Sequence, residues 1–202
     1  MTPSPPEDKS RLRKRLRAVR AAVPSEVRRQ AARALVRLAL RRRLLGRGKR
    51  IAFYIPAKGE IDLLPLLNRA LEMQTDCYLP VVPGRGKRKL WFVRLGAHPS
   101  WTLNRYGIPE YLHVTSRRVR APALDRLFMP LLGFDGAGFR VGMGGGYYDA
   151  SLAFLARRRT WRRPALTGVA YSVQEVDLAP RDPWDIPLNS VLTEQELRRF
   201  CA

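Results

Sequence analysis

Strand-length apolar runs alternating with helix-period segments, a glycine-rich stretch between one such run and a helix, and two amphipathic stretches ahead of any strand predict the fold class. It is α/β: a single open, mainly parallel, Rossmann-like three-layer sheet with helices on both faces and two N-terminal helices. The 202 residues are 46% apolar, enough for one full core, and no internal repeat or long linker divides them. A single domain over 1–202 is expected, with residues 1–8 a flexible, Pro-rich leader.

The elements follow in order. Residues 9–22 form a basic helical stretch with Leu12, Leu16 and Val19 at i, i+4 and i+7, an apolar stripe so thin that a surface position is expected. Pro24 breaks the pattern, Ser25 suits an N-cap, and Val27, Ala31, Leu35, Leu38 and Ala39 carry a second helix that ends near Gly46 and Gly48. Residues 50–55 read as a buried strand, and Asp62 caps a helix bearing Leu63, Leu64, Leu67 and Leu71. Residues 76–82 and 90–95 are further strands, separated by Pro83 and the basic loop 84–89. The continuous apolar run 127–132 is what the middle of a parallel sheet requires. The glycine-rich segment 136–146 follows it, then a helical stretch over 147–158 through Leu152 and Leu155, a short strand at 165–170 and a last strand at 186–192. Thr193 with Glu196 is a capping-box pattern that predicts a C-terminal helix.

Thirty-eight Lys and Arg against 17 Asp and Glu give a formal net charge of +21, which points to an anionic partner. Thirty-two of these cations are Arg, many in helical stretches where Lys would serve equally, so Arg-rich codon usage accounts for a substantial share. Runs such as Arg41-Arg42-Arg43, residues 84–89 and Arg157-Arg158-Arg159 raise nucleic-acid binding as a competing class. No recognisable nucleic-acid module accompanies them, and no aromatics are spaced as stacking platforms, so no specific nucleic-acid partner is expected. Cys77 and Cys201 lie far apart, without metal or disulfide spacing, which reads as a reducing compartment. No apolar run approaches the ~18 residues of a membrane span, and a cytoplasmic protein without a membrane partner is expected.

The sharpest chemical signal is Phe134-Asp-Gly-Ala-Gly-Phe-Arg-Val-Gly-Met-Gly-Gly-Gly-Tyr-Tyr-Asp149. Gly142, Gly144, Gly145 and Gly146 lie between a buried strand and a helix, where successive backbone N–H groups can wrap phosphate oxygens and the helix dipole adds to them. The segment is neither a P-loop nor a dinucleotide fingerprint, because the Lys-Ser/Thr of the first and the spacing of the second are missing. A turn needing glycine only for positive φ would show the same pattern. Arg140, a bidentate guanidinium, and Asp149, a hard carboxylate able to hold Mg²⁺ against phosphates, favour the phosphate cradle.

Arg140-Val-Gly-Met-Gly-Gly-Gly-Tyr-Tyr-Asp149, preceded by Met129-Pro-Leu-Leu-Gly-Phe-Asp135, closely resembles the signature of the 5-formyltetrahydrofolate cyclo-ligase family, also called 5,10-methenyltetrahydrofolate synthetases. Lys9-Ser-Arg-Leu-Arg13 resembles that family's nucleotide-contacting Lys-x-x-Leu-Arg, and Phe53-Tyr-Ile-Pro-Ala-Lys-Gly-Glu-Ile61 is similar to its first strand and the loop bearing a folate-binding glutamate. Tyr106-Gly-Ile-Pro-Glu110, Gly168-Val-Ala-Tyr171 with Gln174, and Trp184-Asp-Ile-Pro-Leu188 with Thr193-Glu194 occur in the family's order.

The resemblance implies an enzyme that uses ATP and Mg²⁺ to convert 5-formyltetrahydrofolate to 5,10-methenyltetrahydrofolate with release of ADP and phosphate. The formyl oxygen attacks the γ-phosphate to give an N5-iminium phosphate, on which N10 then closes. It further implies that Lys9 and Arg13 contact the ATP phosphates, and that Arg140 with Gly142, Met143, Gly144, Gly145 and Gly146 binds the triphosphate. Tyr147 and Tyr148 would line the junction of nucleotide and folate, Ile55, Glu60 and Tyr148 would contact the folate, and Asp149 would hold Mg²⁺. Arg140 and Tyr148 are the implied catalytic residues. A carboxylate beside a pterin is apt because the ring edge presents paired N–H donors.

Three positions depart from the pattern. Asn189 stands where the family often has a second Mg²⁺-associated carboxylate, Met143 and Gly145 where some relatives place basic side chains, and Tyr111 where a second proline is common. Arg85, Lys87, Arg88 and Lys89 point to a polyglutamylated folate, and nothing demands an oligomer, so a monomer is expected. Trp184 reads as a packing anchor, one of Tyr147 and Tyr148 as a core residue, and His98 and His113 receive no role. A third class, an α/β protein holding a sugar phosphate or coenzyme A, would use the loop but need neither Glu60 nor the basic first helix.

Overall fold

In a computed structural model, which describes residues 8–96, 100–112, 118–158, 160 and 163–200, two helices precede the first strand. They are α1 (Lys9–Ala21) and α2 (Ser25–Arg41). The chain continues through β1 (Arg50–Ala52), α3 (Leu64–Glu72), β2 (Asp76–Val81), β3 (Trp91–Arg94), β4 (Ser100–Leu103), β5 (Pro109–Leu112), β6 (Arg118–Val119) and β7 (Arg126–Pro130). Then come β8 (Gly133–Phe134), β9 (Arg140–Val141), α4 (Tyr147–Leu152), β10 (Ala165–Val169), β11 (Ser190–Leu192) and β12 (Leu197–Arg199).

Eight of the strands form one sheet in the order β12-β11-β10-β7-β1-β2-β3-β6. The five from β11 to β2 are mutually parallel; β12 at one edge and β3 beside β2 run against them, and β6, antiparallel to β3, closes the other edge. Side chains alternate across the strands. Ile51, Cys77, Leu79, Phe128, Val169 and Leu192 pack in one apolar cluster with Leu35 and Ala39 of α2 and Leu66 and Leu67 of α3. Ala52, Tyr78, Leu127, Met129, Leu166 and Val191 pack in a second cluster with Leu152 of α4. Strands covered on both faces have no polar side to show, hence the unbroken apolar runs in the sequence.

Several expectations change. The C-terminal helix is absent: Leu197–Arg199 is an antiparallel edge strand registered Leu192↔Leu197. Thr193 Oγ1 does accept from the Glu196 N–H at 3.2 Å, as a capping box would have it, but the Thr193 N–H donates to Glu196 O at 2.9 Å and closes a tight turn. Pairing with β11 satisfies the backbone and buries Leu197, which a lone turn of helix would leave outside. Helix α1 is less superficial than its stripe predicts. Leu12 and Leu16 are fully buried against Leu132, Val141 and Ala179, because a stripe one side chain wide fits the narrow groove beside the loop that follows β7. The β1 pairing stops at Ala52, so Tyr54 to Glu60 leave the sheet as a loop, and Ser25 is the first residue of α2 rather than its cap. Two hairpins were not foreseen: β4–β5, and β8–β9, whose turn Asp135 Oδ1 holds by accepting from the Ala137 and Phe139 N–H groups, each at 2.9 Å.

Gln174, fully buried, ties the end of β7 to the end of β10. Its Nε2 donates to Leu131 O at 3.1 Å and Leu132 O at 2.8 Å, and its Oε1 accepts from the Tyr171 N–H at 2.9 Å. Gln174→Ala would strand these backbone groups away from water. We expect it to lower the unfolding free energy by about 2–4 kcal/mol, read as a shifted urea midpoint with unchanged slope.

Candidate functional site

The chain leaves β1 toward β2 on one side of the sheet and returns from β7 toward β10 on the other, so a crevice opens where the order reverses. A cavity of about 770 Å³ occupies it. The loop after β1 contributes Tyr54, Ile55 and Glu60, the end of β2 contributes Pro80, and the glycine loop joining β9 to α4 contributes Gly142 to Gly146. Helix α1 presents Lys9, Arg13 and Arg17, while the β4–β5 turn adds Asn104 and Tyr106. Every site residue singled out in the sequence lies on this one cavity: Lys9, Arg13, Ile55, Glu60, Arg140, Gly142, Met143, Gly144, Gly145, Gly146, Tyr147, Tyr148 and Asp149.

The glycine loop takes conformations that side chains resist. Gly144 has φ 101° and Gly146, the N-cap of α4, sits in the left-handed region at φ 64°. Helix α4 has only six residues, so its dipole is short and positive charge at the loop comes chiefly from guanidinium groups. Arg13 reaches across from α1 and donates from Nε to Gly142 O at 3.0 Å, while Lys9 Nζ donates to Asp182 Oδ2 at 2.5 Å.

Arg140 projects from β9 with only 7% of its side chain exposed. Its Nη1 donates to Ile186 O at 2.6 Å, and its Nη2 is paired with Asp149 Oδ1. The two ends of the loop, read from the sequence as separate anion and cation ligands, thus neutralise each other here. Among the described residues no group of three or more His, Cys, Asp or Glu is placed to hold a metal ion. The aspartates on the cavity, Asp149, Asp182 and Asp185, form no preformed cage, and their carboxylate oxygens would suit a Mg²⁺ that is held largely by phosphate oxygens.

Tyr147 and Tyr148 both pack against the second apolar cluster and both line the cavity, so neither is simply a core residue. The Tyr147 hydroxyl meets Arg105 Nη2 at 2.7 Å and the Tyr106 hydroxyl at 2.6 Å, clasping the turn of the β4–β5 hairpin to the start of α4. Burial, and next the Glu60 carboxylate, push the Tyr148 phenol well above its usual range, against a smaller pull from Arg140, so it stays a proton donor at neutral pH. Glu60 is itself nearly enclosed, with 8% of its side chain exposed. Its Oε2 accepts from the Ala57 N–H at 3.0 Å. Burial raises its pKa, opposed by that hydrogen bond and by the charges of Arg20 and Lys58.

Other expectations resolve differently. Asn189 is structural: its Oδ1 accepts from the Leu166 N–H at 2.7 Å, between β10 and β11, and it does not line the cavity. Asp182 and Asp185 line it instead, a placement that depends on how the loop before β11 folds back. Trp184 is 64% exposed at the cavity, so it is no packing anchor. Of the basic loop only Arg88 reaches the cavity, and Tyr111 lines it while stacking edge-on against Trp101 with ring centroids 6.0 Å apart. Arg17 carries no motif that singles it out, while Arg88 and Tyr54 stand in the sequence only as members of the basic loop and of the 53–61 segment, and the fold brings all three to the cavity. Residues 1–7, His98, His113, Arg159 and Cys201 lie outside the described residues.

The comparisons with known proteins agree with one another. The model of the 5-formyltetrahydrofolate cyclo-ligase family matches residues 5–194. The chain is 31% identical over 188 residues to the 5-formyltetrahydrofolate cyclo-ligase of Haemophilus influenzae, covering 92% of this chain and 97% of that one. To the enzyme of that name from Escherichia coli K12 it is 32% identical over 147 residues, or 73% of this chain and 79% of that one. The NMR structure of Aquifex aeolicus 5,10-methenyltetrahydrofolate synthetase superposes with a TM-score of 0.79 at 32% identity, over 96% of this chain and 93% of that one. A 5,10-methenyltetrahydrofolate synthetase from Mycoplasma pneumoniae, at 24% identity and a TM-score of 0.70, shares the fold over 93% of this chain and 99% of that one. From the glycine signature to the sheet that carries it, and along nearly its whole length, the chain belongs to the 5-formyltetrahydrofolate cyclo-ligase family.

Proposed function

We propose that the cavity binds ATP and 5-formyltetrahydrofolate side by side and that the protein catalyses their ATP-dependent conversion to 5,10-methenyltetrahydrofolate, ADP and phosphate. One observation carries this reading. A single cavity of about 770 Å³, within the usual range for ligand sites, is lined both by the cationic glycine loop and by an enclosed carboxylate suited to a pterin edge.

In this reading Lys9, Arg13 and Arg140, with the backbone N–H groups of Gly142, Met143, Gly144, Gly145 and Gly146, hold the triphosphate. Ile55 and Glu60 hold the folate, and Tyr147 and Tyr148 line the boundary between the two. A formamide oxygen is a poor leaving group. Its attack on the γ-phosphorus breaks the bond to ADP and gives an N5-iminium phosphate; N10 then bonds to the formyl carbon and gives up its proton as the C–O bond breaks and phosphate leaves. The protein contributes position and charge. Arg140 exchanges its Asp149 partner for phosphate oxygens as the triphosphate enters, which turns the Asp149 carboxylate toward the accompanying cation. Tyr148, kept protonated, donates a hydrogen bond between the two ligands. Mg²⁺, bound by the phosphates and Asp149, would spread the charge that builds on the transferred group.

The finer architectural expectations belong to the same reading: one domain, three layers in the Rossmann manner with helices on both faces, acting as a monomer. Apolar clusters on both sides of the sheet support the layering. A cytoplasmic site of action is proposed, and among the described residues no helix is long and apolar enough to cross a membrane. Arg88 at the cavity supports a polyglutamylated folate, whose extra carboxylates it would meet.

The direct test is spectrophotometric: methenyl-folate formation from 5-formyltetrahydrofolate should require both ATP and Mg²⁺. Arg140→Ala should lower kcat about 100-fold, the loss typical of removing one preorganised charge from a transition state; an unchanged rate would reduce the loop to a turn. Glu60→Gln should raise the folate KM about tenfold with the ATP KM nearly unmoved. Equal KM for mono- and polyglutamylated substrate would remove the proposed role of Arg88.

A further inference from the structure

Arg20 stands on the last turn of α1 and is only 2% exposed. Of its guanidinium nitrogens, Nη2 donates to Lys58 O at 3.0 Å, whereas Nε and Nη1 have no hydrogen-bond partner. A buried cation with two unpartnered nitrogens is costly to retain, so a stability role is a poor account of it. Among the described residues its ion-pair partner is Glu60, with Nη1 3.7 Å from Oε1, too long for a hydrogen bond. Arg20 does not line the cavity, whereas Glu60 does. The guanidinium therefore stands behind the carboxylate that faces the cavity.

We propose that Arg20 is a positioning residue for the folate site: it holds the 57–60 loop through the Lys58 carbonyl and keeps the Glu60 carboxylate ionised and turned to the paired N–H donors of the pterin. The inference rests on the folate reading of Glu60. Loop geometry supports it, because the Ala57 N–H holds Oε2 at 3.0 Å and Arg20 faces Oε1, leaving the carboxylate little freedom to rotate. The surroundings support it as well. Burial pushes Glu60 toward its neutral form, and Arg20 and Lys58 are the charges that oppose this. The other groups facing the pair are the phenols of Tyr54, Tyr148 and Tyr171, all held protonated by burial, with Arg17 on α1, Arg28 on α2, whose Nη2 donates to Arg20 O at 3.3 Å, Asp62 before α3 and Arg140 on β9. Among the described residues Arg20 is the arginine that stands within ion-pair range of the Glu60 carboxylate.

The test compares Arg20→Met, Arg20→Lys, Glu60→Gln and the double variant, with KM for 5-formyltetrahydrofolate and for ATP measured across the pH range in which the protein stays folded. Arg20→Met should raise the folate KM about tenfold at neutral pH, move the acid limb of kcat/KM for folate up by about one pH unit, and leave the ATP KM within about twofold. Arg20→Lys should keep the limb in place, and Arg20→Met should add little in the Glu60→Gln background. A folate defect that is the same at every pH, or that persists in full without the Glu60 carboxylate, would overturn the inference. Should Arg20→Met not fold, Arg20→Gln, which keeps a donor for the Lys58 carbonyl, must show the same limb shift or the inference falls. A silent Glu60→Gln would overturn the folate reading and this inference with it, whereas an effective Glu60→Gln beside silent Arg20 variants would overturn this inference alone.

Discussion

Strands β1 and β7 pair in parallel, Ile51 with Arg126 and Ala52 with Leu127, while the connections at their ends depart in opposite directions along the sheet. Two neighbouring backbones that part company at their carboxyl ends leave space no side chain of the sheet can fill. The loop after β1 and the segment after β7 become the walls of that space. The early end of β1 pairing at Ala52 is part of the same arrangement, because Tyr54 to Glu60 can border the crevice only by leaving the ladder.

Helix α1 closes one side, and its sequence is arranged for that task. Leu12 and Leu16 seat it in the groove beside Leu132 and Val141, while Lys9, Arg13 and Arg17 on adjoining positions reach the cavity and Arg20 passes behind it to Glu60. One rigid helix thereby touches the glycine loop at one point and the Glu60 loop at another. The cations at the cavity are partly spent within the chain, since Lys9 pairs with Asp182 and Arg140 with Asp149. With these cations paired inside the chain, the site is not left as an uncompensated positive patch.

The large net charge of +21 says less than its size implies. Much of it is spread over exposed positions of α1 and α2, where Arg keeps its head in water. The fold turns a handful of these cations toward one crevice, and no count of Arg along the chain distinguishes them from the rest.

Read alone, the sequence determined the parts whose causes are local. Apolar period marks the strands buried on both faces and the helices that cover them, and bare glycines between β9 and α4 mark a backbone able to take φ near 101° and 64°. The family signature added the roles proposed for Lys9, Arg13, Glu60 and Asp149. What only the tertiary structure decided are pairings between residues distant along the chain: Arg13 with Gly142 across 129 positions, Lys9 with Asp182 across 173, Arg20 with Glu60 behind the cavity. The same is true of Leu197–Arg199, where a capping pattern pointed to a helix and an unpaired edge of β11 drew the chain into a strand. A hydrogen bond or ion pair depends on which atoms the sheet order brings within a few ångströms, and that order is set by the burial of the whole core, not by the residues that happen to adjoin in sequence.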